Sequence, residues 1–296
     1  MKIGLIGLGN IGVHFGTRLL AAGHEVHLHD RSAAAQERLV AKGGKPAASA
    51  QEVASRVEIV LLCLPMPRIV ADVATEVAKG DKVRIVVDLS TTGPSVTKEV
   101  ETLLSARNIA LVGAPVSGGT ANAEKGALAV MPAGPRAAYD EVEPLLRVLG
   151  NKIFYLGADP SLGQTMKIIN NTLYATSMIA SLETLVYGVK AGLDAKTMLD
   201  VINASSGRSF ATLERIPQCV LDRSFPVRFT TELLHKDVKM CIDEAEKLGA
   251  PLLVSPAARQ FLAFAMTQGD GAHDNVFPIR HFEQWAGVQF GQKPTA

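Results

Sequence analysis

Short apolar runs alternate with helical periodicity through the first half of the chain. A continuous apolar run predicts a strand covered on both faces, and apolar residues spaced three and four apart predict a helix. The strands predicted in this way are 3–6, 26–28, 59–64, 83–89, 109–112, 128–131 and 153–156. The helices predicted between them are 11–20, 33–42, 67–78, 95–105 and 135–149, with a short helix capped by Ser49. This alternation indicates an α/β fold with a doubly wound, mainly parallel sheet.

The pattern changes near the turn at 157–160. Beyond it only helical periodicity remains, at 163–191, 195–203, 210–221, 231–248 and 252–267. The sequence therefore predicts two domains, residues 1–160 and residues 161–296, and the second is all-α and begins with a long linking helix. The most apolar stretch of that helix, 168–193, contains Asn170, Asn171, Glu183 and Lys190, which favours a buried helix over a membrane span.

Composition and charge narrow the class of protein. Hydrophobic residues make up 47% of the 296 residues and charged residues 20%, as in a globular protein with a sizeable core. Lysine and arginine total 30 against 29 acidic residues, and a net charge of +1 argues against nucleic acid or an anionic membrane as a partner. Cys63, Cys219 and Cys241 are widely spaced, and the first strand begins without a preceding signal peptide, so we expect reduced thiols and a cytoplasmic location.

A glycine motif lies between the first strand and the first helix. Gly7, Gly9 and Gly12 form G-x-G-x-x-G, in which the first glycine permits a tight turn and the second lets the backbone approach a pyrophosphate. The third glycine lets helix and strand pack closely, and the helix N-terminus favours the phosphate charge. Asp30 ends the next strand, where a carboxylate binds ribose hydroxyls. We therefore expect a Rossmann-type dinucleotide-binding domain.

The choice of dinucleotide depends on the residues after the second strand. The carboxylate of Asp30 would repel a 2′-phosphate, which favours NAD over NADP. Arg31 and Ser32 follow it directly and would tolerate a 2′-phosphate if Asp30 turned away. NADP therefore stays open as the alternative cofactor.

Polar loops follow other strands of the predicted sheet, where open α/β sheets bind ligands. They are Leu64–Pro65, Ser90–Thr91 and Ser117–Gly119. In the last loop, backbone N–H groups of Gly118 and Gly119 and the Ser117 hydroxyl are suited to a small carboxylate. A flexible turn is the alternative interpretation.

Lys167 is the candidate proton carrier for a dehydrogenase. It lies near the start of the long apolar helix, and Asn171 is four residues further on the same face. A lysine in a half-buried cleft has a reason for a lowered pKa, so it can act as base in oxidation and as acid in reduction. A solvated lysine near a helix start is the alternative.

Motifs along the whole chain resemble those of the β-hydroxyacid dehydrogenases, the family of 3-hydroxyisobutyrate dehydrogenase and tartronate semialdehyde reductase. The resemblance is carried by Gly4–Gly12, by the D-x-S-T segment Asp88–Thr91, by Ala114–Gly119 with Ala123 and Gly126, by Gly163–Asn171, and by the pair Lys236–Asp237. It implies NAD(P)-dependent interconversion of a short 3-hydroxy acid and its 3-oxo acid, on a small carboxylate or sulfonate substrate. It also implies a homodimer or homotetramer.

The resemblance also implies a role for each site residue. Lys167 would be the general acid/base, and Asn171 would orient the substrate or the lysine. Ser117, Gly118 and Gly119 would hold the substrate carboxylate. The implied cofactor contacts are Gly7, Leu8, Gly9, Asn10, Ile11, Gly12, Asp30, Arg31, Leu64, Pro65, Thr91 and Lys236. His235, which precedes the K-D pair, departs from the less polar residue usual there, and its role stays open.

Two other functional readings remain. Imine reductases share this architecture but differ at the lysine position, and non-catalytic nuclear relatives that act as cofactor-binding scaffolds lack the lysine. Lys167 weighs against both. A metal site is not expected, because His24, His27 and His29 have no carboxylate or thiol partner at ligand spacing.

Overall fold

The computed structural model describes residues 1–291, so residues 292–296 of the predicted second domain lie outside the described part. The chain forms two compact units, the first from Met1 to Lys167 and the second beginning at Ile168. The division falls within a helix, α8 (Ser161–Lys190). Each unit is described by itself.

The first unit is built on a sheet of six parallel strands in the order β3-β2-β1-β4-β5-β6. These strands are β1 (Lys2–Ile6), β2 (Glu25–His29), β3 (Lys45–Pro46), β4 (Ile59–Leu62), β5 (Ile85–Asp88) and β6 (Ala110–Gly113). The strand order reverses between β1 and β4, and open α/β sheets bind ligands beyond the carboxyl ends of the strands at such a point. The predicted doubly wound parallel sheet is confirmed.

Helices cover both faces of this sheet, which explains the continuous apolar runs. Ile3, Leu5 and Leu61 pack into one hydrophobic cluster, whereas Ile6 and Val60 pack into another, because neighbouring residues of a strand face opposite sides. The helices of this unit before α8 are α1 (Gly12–Ala21), α2 (Ala33–Val40), α3 (Ala50–Arg56), α4 (Pro67–Val77), α5 (Pro94–Ser105), α6 (Gly119–Lys125) and α7 (Arg136–Leu149). The sequence did not predict α6.

The last strands of the first unit form a sheet of their own. β7 (Val116–Ser117) pairs antiparallel with β8 (Leu128–Val130), which pairs parallel with β9 (Gly150–Ile153). The apolar runs at 128–131 and 153–156 had been predicted as further strands of the doubly wound fold, and the second of them forms its strand a few residues earlier. An apolar run shows that a strand is buried, but it does not identify the strand with which it pairs.

The second unit is helical over its described residues, as predicted. After α8 come α9 (Ala195–Asn203), α10 (Ile216–Cys219), α11 (Thr231–Lys247), α12 (Ser255–Thr267) and α13 (Ile279–Ala286). The predicted helix 210–221 is instead a π-helical turn, Ala211–Arg215, followed by the short α10. Pro217 has no N–H to donate within a regular helix, which explains the change in hydrogen bonding. The sequence did not predict α13.

The long helix α8 carries two kinds of apolar residue. Met178, Leu182 and Leu185 are buried in the core of the second unit, whereas Leu173 and Tyr187 are 67% and 72% exposed. Between residues 1 and 291, no helix combines the length and hydropathy needed to cross a membrane.

Candidate active site

The glycine loop between β1 and α1 has the geometry that a dinucleotide requires. Gly7 has a φ of +92°, and a Cβ on Gly12 would lie 2.0 Å from the carbonyl oxygen of Gly7. Both glycines are therefore required by the fold itself. A Cβ on Gly9, in contrast, would meet no protein atom within 4 Å. Protein packing gives no reason for a glycine there, and the open space fits a pyrophosphate in contact with the backbone.

The start of α1 completes this cradle. The residue before the helix, Ile11, provides no capping side chain, and the first turn contains no acidic residue. The N–H groups of Val13 and His14 already donate to the carbonyls of Gly9 and Ile11, so what the start of α1 adds for an anion is the positive end of its helix dipole. Leu8 is buried in the core beneath the loop, whereas Gly9 and Asn10 are exposed. The residues present therefore fit the phosphates of a dinucleotide.

Asp30 lies against the glycine loop. Its Oδ2 accepts a hydrogen bond from the backbone N–H of Leu8 at 2.7 Å, and its Oδ1 accepts one from the N–H of Ser32 at 2.8 Å. The carboxylate is thus fixed facing the loop and is not turned away from it. Arg31 is exposed beside it, and Ser32 caps α2.

Two of the predicted strand-end loops are joined by hydrogen bonds. The N–H of Leu64 donates to Ser90 Oγ at 2.9 Å, which connects the loop after β4 to the loop after β5. The carboxylate of Asp88 accepts from the N–H of Ser90 at 3.0 Å and from the hydroxyl of Thr92 at 2.5 Å. Asp88, Ser90 and Thr92 are all buried. This network fixes the backbone on either side of Thr91, a predicted cofactor contact.

The loop Ser117–Gly119 joins β7 to α6 and depends on glycine at two positions. Gly118 has a φ of +136° and Gly119 a φ of +70°, values that residues with a Cβ rarely adopt. Both glycines are exposed, and α6 begins at Gly119 without a capping side chain. The N–H groups of this turn are therefore accessible to a carboxylate.

Lys167 is buried, with 8% of its surface exposed, and it is the last residue of the first unit. The first turn of α8 is held closely against the sheets of that unit. A Cβ on Gly163 would lie 2.4 Å from the carbonyl oxygen of Met131 and 2.7 Å from that of Gly113. Gln164, three residues before the lysine, bonds to the segment after β5. Gln164 lies within the Gly163–Asn171 motif, but no role was predicted for it.

In the second unit, Asn171 and Asp237 form a buried hydrogen bond. Asn171 Nδ2 donates to Asp237 Oδ2 at 2.7 Å, and the other end of the amide accepts from Asn170 Nδ2 at 3.2 Å. Lys236 Nζ lies 2.9 Å from Asp237 Oδ1. The K-D pair and the second asparagine of the Gly163–Asn171 motif are thus brought together by α8 and α11. Within the K-D pair, a role was expected for Lys236 alone.

His235 lies on the same helix, beside Lys236. Its pKa is lowered from the ordinary value of 6.5 by partial burial, and by the charges of Arg259 and Lys239. The neutral imidazole is therefore the favoured form near pH 7.

A second buried network fixes the segment that precedes α11. The carboxylate of Asp274 accepts from Arg215 Nη2 at 2.5 Å, and from the N–H groups of Arg228 and Phe229 at 2.8 and 3.1 Å. Tyr174 on α8 lies beside Arg215, and burial raises the pKa of Tyr174 to about 12, so it stays protonated. Sequence reasoning missed this network, since its residues are far apart in the chain and match no motif.

Two family models together match almost the whole chain. Residues 2–157 match the NAD-binding domain of 6-phosphogluconate dehydrogenase, and residues 161–282 match a model described as NAD-binding of NADP-dependent 3-hydroxyisobutyrate dehydrogenase. Across the described residues, no group of three or more His, Cys, Asp or Glu side chains is placed to hold a metal ion. The chain belongs to the β-hydroxyacid dehydrogenase family, whose members are NAD(P)-dependent oxidoreductases acting on CH–OH groups.

Individual relatives cover nearly the full length. The 2-(hydroxymethyl)glutarate dehydrogenase of Eubacterium barkeri is 34% identical, over 97% of each chain. The mitochondrial 3-hydroxyisobutyrate dehydrogenase of Drosophila melanogaster is 32% identical, over 92% of this chain and 86% of its own. The 3-hydroxyisobutyrate dehydrogenase structure of Mycobacterium tuberculosis with L-serine has a TM-score of 0.88 and 28% identity, over 95% of this chain and 98% of that one.

Imine reductases are more distant. The structure from Streptomyces aurantiacus is 20% identical, with a TM-score of 0.64 over 95% of this chain and 99% of its own. This likeness concerns the fold alone.

Proposed function

We propose that this chain catalyses the NAD-dependent interconversion of a short 3-hydroxy acid and its 3-oxo acid, with Lys167 as general acid/base. The observation that carries the proposal is the burial of Lys167 on a helix turn held against the strand ends of the dinucleotide-binding unit. Lysines are rarely buried in proteins, and this one lies where the family resemblance expects the proton carrier. An imine reductase or a scaffold would not need a lysine at this place.

The predicted catalytic and substrate-binding residues each have a role in this reaction. The nicotinamide ring, when bound, supplies the hydride acceptor. The N–H groups of Gly118 and Gly119 and the Ser117 hydroxyl hold the substrate carboxylate. In oxidation the neutral amine of Lys167 accepts the hydroxyl proton as the hydride leaves carbon 3, and in reduction the ammonium returns that proton. Asn171, one turn further along α8, orients the substrate hydroxyl through its fixed amide.

The favoured cofactor is NAD. A 2′-phosphate on the adenosine ribose would approach the carboxylate of Asp30, which is held facing the glycine loop by the N–H groups of Leu8 and Ser32. Two adjacent negative charges repel each other, whereas ribose hydroxyls can donate hydrogen bonds to this carboxylate. Residues 1–160 would bind NAD, and the predicted contacts include Leu64, Pro65, Thr91 and Lys236.

The substrate class follows from the chemistry of the relatives. Two of the relatives are named for 2-(hydroxymethyl)glutarate and 3-hydroxyisobutyrate, and the Mycobacterium tuberculosis structure contains L-serine. All three compounds have a carboxylate and a hydroxyl on the carbon at position 3 from it. The test is NADH absorbance with these acids, glycerate and sulfonate analogues, each run with NAD and with NADP. Lactate, a 2-hydroxy acid, is the control. We expect NADH to form with a 3-hydroxy acid and not with lactate. If the protein binds NADH but forms none with any acid of the panel, the proposal is contradicted.

We also propose a cytoplasmic homodimer or homotetramer, with residues 161–296 serving substrate binding and assembly. Support comes from apolar residues on α8 that the isolated chain leaves accessible, among them Leu173 and Tyr187. Size-exclusion chromatography with light scattering tests the oligomer, and a monomer at micromolar concentration would contradict it.

A further inference from the structure

The side chain of Gln164 uses its full hydrogen-bonding capacity inside the first unit. Its oxygen accepts from the backbone N–H groups of Thr92 at 2.9 Å and Gly93 at 3.4 Å. Its nitrogen donates to the carbonyl of Ser90 at 3.0 Å and to Asp88 Oδ2 at 3.4 Å. The side chain has no exposed surface. Two acceptor and two donor contacts match the complete inventory of a carboxamide, which only asparagine shares, on a shorter side chain.

The segment that Gln164 contacts is itself rigid. Asp88 accepts from the N–H of Ser90 and the hydroxyl of Thr92, and these bonds fix the turn after β5. Ser90 in turn accepts from the N–H of Leu64 through its hydroxyl. The carboxamide is therefore bonded to a rigid segment, and the same segment also fixes two loops with predicted cofactor contacts.

The backbone of α8 is also fixed at Gly163, directly before Gln164. A Cβ on Gly163 would lie 2.4 Å from the carbonyl oxygen of Met131, so the helix approaches the strand ends more closely than another residue allows. Lys167 follows Gln164 by three residues, which places the two side chains on neighbouring positions of one helix face. A shift or rotation of this turn moves the amine of Lys167 with it.

We propose that Gln164 is a positioning residue, which sets the place of the Lys167 amine relative to the cofactor-binding loops through its four bonds to Asp88–Gly93. The inference rests on the proposed role of Lys167. Proton transfer requires the amine within hydrogen-bond reach of the substrate hydroxyl, and a displacement of about 1 Å can slow an enzymatic step by about 100-fold. Gln164 itself touches neither substrate nor cofactor in this proposal.

The test is Gln164→Met, which keeps the length of the side chain and removes every hydrogen bond. The first turnover of NADH formation is followed by stopped flow, with the enzyme limiting and with NAD and the hydroxy acid both saturating. The rate constant reports how fast each folded enzyme reacts, and the amplitude reports the fraction that is folded. We expect the rate constant to fall by about 10- to 100-fold, with unchanged affinity for NADH. Gln218→Met, an exposed glutamine of the helical unit, is the matched control and should react like wild type.

A purely structural role for Gln164 predicts a different result. In that case the amplitude falls while the rate constant stays at the wild-type value, and the inference is overturned. If Gln164→Met does not fold, Gln164→Asn replaces it, since the shorter carboxamide cannot reach Ser90 and Thr92 together and should also slow the first turnover. A wild-type rate constant in that variant equally overturns the inference.

Lys167→Ala separates this inference from the proposed function. A fully active Lys167→Ala enzyme contradicts the role of the lysine itself. An inactive Lys167→Ala enzyme alongside a wild-type rate constant for Gln164→Met contradicts only the positioning role.

Discussion

Asn171 Nδ2 lies 2.7 Å from Asp237 Oδ2, so the last asparagine of the Gly163–Asn171 motif and the aspartate of the K-D pair form one buried hydrogen bond. Asp237 is 2% exposed and Asn171 is 6% exposed. Because the carboxylate can only accept, it fixes which end of the Asn171 amide is the donor. The orientation of the amide is therefore set by Asp237 on α11 together with Asn170 on α8.

Replacing Asp237 with alanine should destabilise the helical unit. The change leaves a buried Asn171 donor without its acceptor, and this costs about 1–3 kcal/mol of the free energy of unfolding. Asp243→Ala is the matched control, because Asp243 lies on the same helix and pairs with Lys239 at the surface, where an ion pair contributes about 0–1 kcal/mol. Urea unfolding followed by circular dichroism measures both. Equal losses in the two variants would show that the buried bond contributes little.

Gly9→Ala and Gly12→Ala should affect different properties, the first NADH binding and the second folding stability. A Cβ on Gly9 meets no protein atom, so we expect normal stability but NADH binding weakened about tenfold or more, because the methyl group enters the space for the pyrophosphate. A Cβ on Gly12 collides with Gly7, so that variant should lose about 1–3 kcal/mol of folding stability. Thermal unfolding and NADH fluorescence titration distinguish the two. Normal NADH affinity in Gly9→Ala would contradict the assigned cofactor loop.

Asp30→Asn should shift cofactor preference toward NADP. The change removes the negative charge that faces the glycine loop and keeps the size of the side chain. We expect the ratio of kcat/KM for NADP over NAD to rise about tenfold, or ~1.4 kcal/mol. Glu37→Gln, at an exposed position of α2, removes the same charge nearby and should leave the ratio unchanged. An unchanged ratio in Asp30→Asn would place the selection elsewhere.

His235 should titrate below its ordinary pKa of 6.5 and should make stability pH-dependent. Burial and the cations Arg259 and Lys239 disfavour the imidazolium in the folded chain. The unfolded chain therefore takes up a proton first as the pH falls, so stability is complete above pH 6.5 and is lost between pH 6.5 and the lower folded pKa. Proton NMR titration, with the signal assigned by its loss in His235→Gln, measures the pKa. A value at or above 6.5 would contradict this environment.

Much of the strand and helix pattern of the first unit could be predicted because β1, β4, β5 and β6 are short, mainly apolar runs. The glycine loop could also be predicted, since the need for glycine at Gly7 and Gly12 follows from local backbone geometry. The separate sheet β7-β8-β9 could not, because strand pairing depends on contacts that the apolar pattern does not encode. The π-helical turn at Ala211–Arg215 was not predicted either. The apolar spacing over 210–221 is that of a regular helix, and Pro217 alone did not change the prediction.

In the candidate site, too, some residues could be identified from the sequence and others could not. Lys167 and Asn171 could be singled out from their spacing on one helix. The bonds of Gln164 to Asp88 and those of Arg215 to Asp274 join residues 76 and 59 positions apart, and only the folded chain brings them together. The place of Gln164 within the Gly163–Asn171 motif was the available signal for this residue.

The most direct test of the central claim is turnover by Lys167→Ala, compared with Lys190→Ala at an exposed position of the same helix. Both proteins are assayed for NADH binding by fluorescence and for NADH formation on the best hydroxy acid from the substrate panel. If Lys167 carries the proton, its variant binds NADH like wild type and loses turnover by about 10²- to 10⁴-fold, while Lys190→Ala keeps both properties. Turnover by Lys167→Ala close to that of wild type would contradict the mechanism.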